Sequence, residues 1–266
     1  MMNWKETYLQ WRNFEELDGA LKEDLASIEA DEKLLEDAFY QPLSFGTAGM
    51  RGILGAGINR MNIYTIRQAT EGLANLLEDY GQDAKDRGVA IAYDSRHMSP
   101  EFAMESAKTL GAHGIKSYVF EALRPTPELS FAVRELNAFA GIMITASHNP
   151  ADYNGYKVYG EDGGQMPPVD ADAVTANVRA VENPLTVEVG DEAALKADGT
   201  ITIIGEEIDQ KYLDNMKAVV VDQAVIDEMA DQVSIVYTPL HGTGQMLVER
   251  TLADAGFTNV TYVAEQ

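Results

Sequence analysis

The chain contains no cysteine. Disulfides, thiolate zinc sites and cysteine nucleophiles are therefore excluded. Basic residues are scarce: 20 Lys and Arg stand against 43 Asp and Glu, a formal net charge of −23. That balance repels nucleic-acid phosphates and anionic lipid, so neither nucleic acid nor a membrane is an expected partner. No uncharged apolar run approaches membrane-spanning length. The first residues, Met1-Met2-Asn3-Trp4-Lys5-Glu6, lack the basic-then-apolar pattern of a signal peptide. A cytoplasmic location fits these features. The four histidines, His97, His113, His148 and His241, are scattered and not spaced as metal ligands on one helix face. What is present is an ordinary apolar fraction, 45% of 266 residues, enough for one large domain or two ordinary ones.

Apolar spacing predicts helices over residues 4 to about 40, with Asp31 as a cap. A glycine-rich break follows at Phe45-Gly46-Thr47-Ala48-Gly49-Met50-Arg51-Gly52, then a helix over 62–80 with Ile66, Ala69, Leu73, Leu76 and Leu77 on one face. Strands then alternate with helices: strands at Val89–Tyr93, Ser117–Phe120 and Phe139–Thr145, helices at Pro100–His113 and Pro127–Leu136. This alternation predicts an α/β fold, a mixed and largely parallel sheet between helices. Residues 183–205 read as a junction, and a second alternation begins with strands at Val233–Tyr237 and Val260–Val263. Sliding Val89–Ala122 by 144 positions onto Val233–Gln266 needs no gap and matches Val89/Val233, Tyr93/Tyr237, His97/His241 and Glu105/Glu249, among others. We read two related β-α-β units, one domain over 1–190 and a second, incomplete one over 191–266.

Three segments carry possible chemistry. Phe139 to Ile144 run as a buried strand into Thr145-Ala146-Ser147-His148-Asn149-Pro150, which places Ser147 at a strand's carboxyl end, where open α/β sheets bind ligands. The Gly-x-Ser-x-Gly of serine hydrolases is absent, and a His directly after the Ser is poorly placed as its base if the two are strand neighbours. Asn154-Gly155 is a hairpin-turn signal, which would fold Lys157 back toward Ser147. Gly49 and its neighbours offer close-approaching N–H groups, while Arg51 and Arg96 (in Asp94-Ser95-Arg96) supply guanidinium groups. Together Arg51, Arg96 and Lys157 can give a local positive field that the whole chain lacks. Each segment has a plainer reading as well: a strand and Asn-Pro turn, a solvated lysine, surface ion pairs.

In combination these segments resemble the α-D-phosphohexomutase superfamily, the phosphoglucomutases and phosphomannomutases. The resemblance rests on Phe-Gly-Thr-Ala-Gly-Met-Arg-Gly at 45–52, Asp-Ser-Arg at 94–96, Pro-Thr-Pro at 125–127, Thr-Ala-Ser-His-Asn-Pro at 145–150 and Tyr-Asn-Gly-Tyr-Lys at 153–157. It looks closest to the phosphoglucomutase branch and to the N-terminal portion of such proteins. It implies that Ser147 carries a phosphoryl group, passes it to a hexose phosphate and recovers the other phosphate from a bisphosphate intermediate. It implies His148, Lys157 and Arg51 as catalytic companions, Arg96 and Gly49 as phosphate-binding, and Ser147 as one ligand of Mg²⁺, the other ligands lying beyond residue 266. Glucose 1,6-bisphosphate is the implied activator. The family's metal, sugar-binding and phosphate-binding loops have no counterpart in this sequence, so little turnover is expected of the chain alone.

Two other readings remain open. One is a non-catalytic phosphosugar-binding module built on the same residues. The other is a dinucleotide-binding protein, from Gly242-Thr243-Gly244 between a strand and a helix with Glu265 at the next strand's end, although Leu247 stands at the third glycine position.

Overall fold

The structure, a computed structural model, describes residues 3–46 and 49–265. Thr47 and Ala48 of the glycine-rich segment lie outside the described residues. Three short helices, α1 (Trp4–Arg12), α2 (Gly19–Ile28) and α3 (Glu32–Phe39), open the chain. Each begins on a side chain that caps backbone N–H groups, Asn3, Asp18 and Asp31 in turn. They fold on their own aromatic core, in which Trp11 packs edge-on against Phe39 and Tyr64.

The central body is one six-stranded sheet. Its strands are β1 (Gly49–Ile53), β2 (Val89–Tyr93), β3 (Ser117–Phe120), β4 (Ala140–Ile144), β5 (Tyr153–Tyr159) and β6 (Ile201–Ile204), in the order β1-β5-β4-β2-β3-β6. The β4-β2-β3-β6 portion is parallel, and at one end β5 runs antiparallel to both of its neighbours, β4 and β1. The mixed, largely parallel sheet follows from the sequence: β2 and β4 are buried at every residue, as strands covered on both faces must be.

Helices α4 (Ile63–Tyr80), α6 (Ser99–Ala112) and α8 (Pro168–Ala180) cover one face. The predicted stripe Ile66, Ala69, Leu73, Leu76 and Leu77 is buried there. The short α5 (Gln82–Arg87) and α9 (Glu192–Ala197) lead into β2 and β6. Helices α7 (Thr126–Glu135) and α10 (Glu206–Met216) cover the other face. The first sheet thus runs past the expected boundary at residue 190, because β6 pairs with β3 and α10 packs on α7. No helix among the described residues is long and apolar enough to cross a membrane.

A charged cluster ties α7 to α10. Arg124 makes a bidentate pair with Asp209, both bonds 2.7 Å, and both residues are almost wholly buried. Glu128 lies 3.8 Å from the same guanidinium with no hydrogen-bond partner for either oxygen among the described residues. Burial, reinforced by the neighbouring Asp209 carboxylate, raises Glu128 far above the usual carboxylate range. Glu128 is then neutral at pH 7, and Arg124 and Asp209 balance each other, as a buried cluster requires.

The second unit holds α11 (Gln223–Met229), β7 (Ile235–Tyr237), α12 (Gln245–Ala255) and β8 (Val260–Tyr262). β7 and β8 are parallel, as β2 and β3 are. The gapless slide is corrected in detail. Val89 pairs with Ser117 but Ile235 with Val260, offsets of 28 and 25 residues. The joining helix is shorter by the same three residues, 11 in α12 against 14 in α6.

Candidate active site

Helix α6 carries the chain from β2 to β3, and α7 returns it across the opposite face to β4. The two crossovers leave the carboxyl ends of the neighbouring strands β2 and β3 toward opposite faces, which opens a crevice along that edge of the sheet, where parallel β4 also ends. The loop after β2 starts at Asp94 and the loop after β4 contains Ser147.

The Ser147 loop is built in steps. Thr145 and Ala146 are still buried, and the chain then emerges so that Ser147 and His148 are exposed. Ser147 has a φ of 57°, in the left-handed region that non-glycine residues seldom enter. Holding it there costs on the order of 1–2 kcal/mol, which the surroundings must supply. The Ser147 N–H donates to Thr145 Oγ1 at 2.9 Å. Arg96 then closes the loop from outside. Its guanidinium donates to the carbonyls of Ser147 (2.9 Å), Asn149 (2.6 Å), Pro150 (2.7 Å) and Tyr153 (2.9 Å). Asp94 orients Arg96 through an ion pair of 3.4 Å and itself accepts from the Arg96 N–H and Ser99 Oγ.

This arrangement changes the role expected of Arg96. Its donors are taken by four carbonyls, so in this structure it shapes the loop and offers phosphate little. Gly49 changes in the same way: its N–H donates to the Gly46 carbonyl at 3.2 Å rather than to open space. Glycine is needed at 49 because φ is 129° and a Cβ would lie 1.9 Å from the Tyr156 carbonyl oxygen.

The expected hairpin turn at Asn154-Gly155 is also corrected. Both residues lie inside β5, and the turn is the Ser147 loop itself. Asn154 is buried and donates to the His97 carbonyl and Ser99 Oγ, while a Cβ on Gly155 would lie 2.6 Å from the Thr145 carbonyl oxygen. An Asn-Gly pair here serves close packing around the loop.

Lys157 still returns alongside β4, between Met143 on one side and Gly49 on the other. Burial lowers its pKa, the Arg51 charge lowers it further, and Asp94 partly opposes both. Arg51 reaches the loop directly, with Nη1 3.4 Å from Asn149 Oδ1. His148 Nδ1 lies 3.4 Å from Ser147 Oγ, closer than strand neighbours would allow. The reason is the left-handed turn at Ser147, which rotates the two side chains toward the same side. At this length the contact is a weak hydrogen bond.

The loop forms one wall of an open cleft of about 1550 Å³. Asp94, Arg96, His97, Ser147 and His148 line one side, and residues 239–253 of the second unit line the other. Ser95 Oγ donates to the His241 carbonyl across it at 2.9 Å. Arg51, Lys157 and Gly49 do not line this cleft; they sit one and two strands farther along the sheet. Arg250 enters the cleft but is held by Glu206 at 2.8 and 2.9 Å.

Reading the sequence overlooked Thr145, Asn149 and Asn154. Their signal was present, polar residues flanking a Ser-His turn, but their partners are distant in the chain. The dinucleotide reading loses its geometry, since seven residues, 238–244, separate β7 from α12 and Glu265 lies beyond β8.

Mg²⁺, which the resemblance implies, favours an octahedral set of oxygen ligands. Among the described residues no three His, Asp or Glu side chains gather to hold a metal ion, so Ser147 alone does not make a Mg²⁺ site.

Comparison with known proteins bears on the whole arrangement. Residues 42–184, more than half of the chain, match the sequence model of phosphoglucomutase/phosphomannomutase, alpha/beta/alpha domain I. The phosphoglucomutase of Staphylococcus saprophyticus is 37% identical over 252 residues, 95% of this chain and 44% of its own length. That of Staphylococcus haemolyticus is 39% identical over 231 residues, 87% of this chain and 40% of its own. A crystal structure from Thermus thermophilus, assigned as a phosphomannomutase, superposes with a TM-score of 0.67 at 26% identity, over 85% of this chain and 46% of that one. The chain therefore spans less than half the length of the relatives it matches, and it belongs to the phosphoglucomutase/phosphomannomutase family.

Proposed function

We propose that this chain is the phosphoserine-bearing part of a phosphosugar mutase of the glucose 1-phosphate to glucose 6-phosphate type. The observation that carries the reading is Ser147 itself: an exposed hydroxyl, held in a left-handed conformation, on a loop pinned by Arg96 at the edge of a large cleft. Strain kept at one exposed serine points to a task for that serine.

In this reading phospho-Ser147 passes its phosphoryl group to a free hydroxyl of a hexose phosphate. The bond from phosphorus to Ser147 Oγ breaks as the bond to the sugar oxygen forms. The sugar hydroxyl releases its proton, and Oγ takes one up. Such transfer depends chiefly on positioning and charge neutralisation. Arg51 supplies positive charge near Asn149. Lys157, made more acidic by burial and Arg51, is the group suited to exchange the proton. His148 orients Oγ. The remaining Mg²⁺ ligands and the sugar-selecting groups belong, in this reading, to the portion of the relatives that this chain does not span, so turnover by the chain alone is low. Glucose 1,6-bisphosphate is the expected phosphoryl donor, and a cytoplasmic location accompanies the reading.

The test is the intact mass of the chain after incubation with glucose 1,6-bisphosphate and Mg²⁺. The expected result is one added phosphate, absent in Ser147→Ala. No added mass favours the passive phosphosugar-binding module, and rapid mutase turnover by the chain alone refutes the claim of low activity.

A further inference from the structure

A hexose monophosphate that turns a free hydroxyl toward Ser147 must rest its own phosphate elsewhere in the cleft. The cleft suits an anion better than the net charge of −23 suggests. The carboxylates among its lining residues are Asp94 and Glu249, and Asp94 is already paired with Arg96. Three of the four histidines, His97, His148 and His241, line it too, and even a neutral imidazole keeps one N–H donor. What decides the resting place is which full positive charge can be recruited.

Two guanidinium groups are among the lining residues, Arg96 and Arg250. Arg96 could turn to a phosphate only by giving up four carbonyls and the Ser147 loop they hold. Arg250, on the opposite wall, is held far more lightly. Its Nη1 and Nη2 donate to Glu206 at 2.9 and 2.8 Å, and Nη2 also to Gln210 at 3.2 Å. The Glu206 side chain is 70% exposed, and so open a pair is worth no more than about fivefold in an equilibrium constant. Asp209 lies 4.0 Å from Arg250, but both of its oxygens already accept from Arg124. A phosphate dianion offers the same two-oxygen geometry as Glu206 with more charge. We propose that Arg250 is the anchor for the non-reacting phosphate of a hexose monophosphate, which it takes up by leaving Glu206. The inference rests on the mutase reading for the class of ligand. It assigns a phosphate contact to the second unit of this chain, on the wall that faces Ser147.

The test is a titration of the chain with glucose 1-phosphate, followed by the amide NMR shifts of the cleft. It is run in EDTA, so that no phosphoryl transfer takes place. Arg250→Met should weaken binding about tenfold or more, because a bidentate, charge-assisted contact is lost. Glu206→Gln should tighten it, by up to about fivefold, because the competing carboxylate is gone. Inorganic phosphate should show the same two signs. The opposite signs separate an anchor from a mere contact between α10 and α12, since breaking that contact from either side would disturb the cleft alike. Binding indifferent to Arg250→Met, binding weakened by both substitutions, or no binding of glucose 1-phosphate overturns the inference. Phosphate on Ser147 is not read here, so a chain that binds through Arg250 yet never gains mass from glucose 1,6-bisphosphate fails the mutase reading alone.

Discussion

Replacing Arg96 by Met tests the claim that one guanidinium holds the Ser147 loop. Methionine keeps much of the length and packing of the side chain and removes every donor. Four bonds to carbonyls would be lost. A hydrogen bond to a charged group has a net worth of about 1.5–3 kcal/mol, so independent bonds would sum to about 6–12 kcal/mol. They are not independent, since they share one side chain, and single replacements seldom cost more than about 4–5 kcal/mol. A loss of about 3 kcal/mol is the working figure. If it falls on loop opening, protection of the loop amides drops by about a hundredfold, at 1.36 kcal/mol per decade. The amides to follow by hydrogen exchange are those of Ser147, Asn149 and Tyr153, each bonded within or beside the loop. Amides of β2 and β4 should change far less. Arg96→Lys should recover only part of the protection, because an ammonium cannot reach four carbonyls in a plane. Unchanged exchange at these three amides, to within about threefold, in a variant whose melting point has fallen, would refute the clamp and leave Arg96 a general structural residue.

Glu128→Gln removes a titration while keeping the shape of the side chain. An acid whose folded pKa lies above its unfolded value loses stability as pH rises from the unfolded pKa, about 4.3, toward the folded one, near 9. The parent should therefore lose up to about 1.4 kcal/mol per pH unit against the Gln variant between pH 5 and 8, measured by urea unfolding, and parallel pH curves would show that Glu128 ionises normally. Gly49→Ala should destabilise by about 3 kcal/mol or more, since the new Cβ meets the Tyr156 carbonyl at 1.9 Å in a conformation closed to alanine. Gly46→Ala, whose Cβ comes no nearer than 3.8 Å to Gly49 O, is the matched control, and equal midpoints for the two variants would contradict this.

Much of the fold was legible before the structure because periodicity is local. The stripe of α4 and the uninterrupted apolar runs of β2 and β4 each need only their own residues to declare helix or strand. The extent of the first sheet was not legible: Ile201–Ile204 looks like a junction until β3 is there to pair with it. Asn154-Gly155 misled for a related reason. The pair favours a turn in isolation, but Asn154 finds buried partners at His97 and Ser99, and Gly155 leaves room for the Thr145 carbonyl.

The sequence by itself determined the family, through five short segments in order, and placed a serine at the carboxyl end of a buried strand. Those properties depend on residue identity and near-neighbour spacing. Tertiary structure decided what the charged residues do. Arg96 and Gly49 looked available to an anion, yet one is bound to four carbonyls and the other closes a strand pair. Lys157 acquired its lowered pKa only from burial beside Arg51, more than a hundred residues away in sequence. A hydrogen-bond donor is free or engaged according to what the fold brings within about 3 Å of it, and that distance is set across the chain rather than along it.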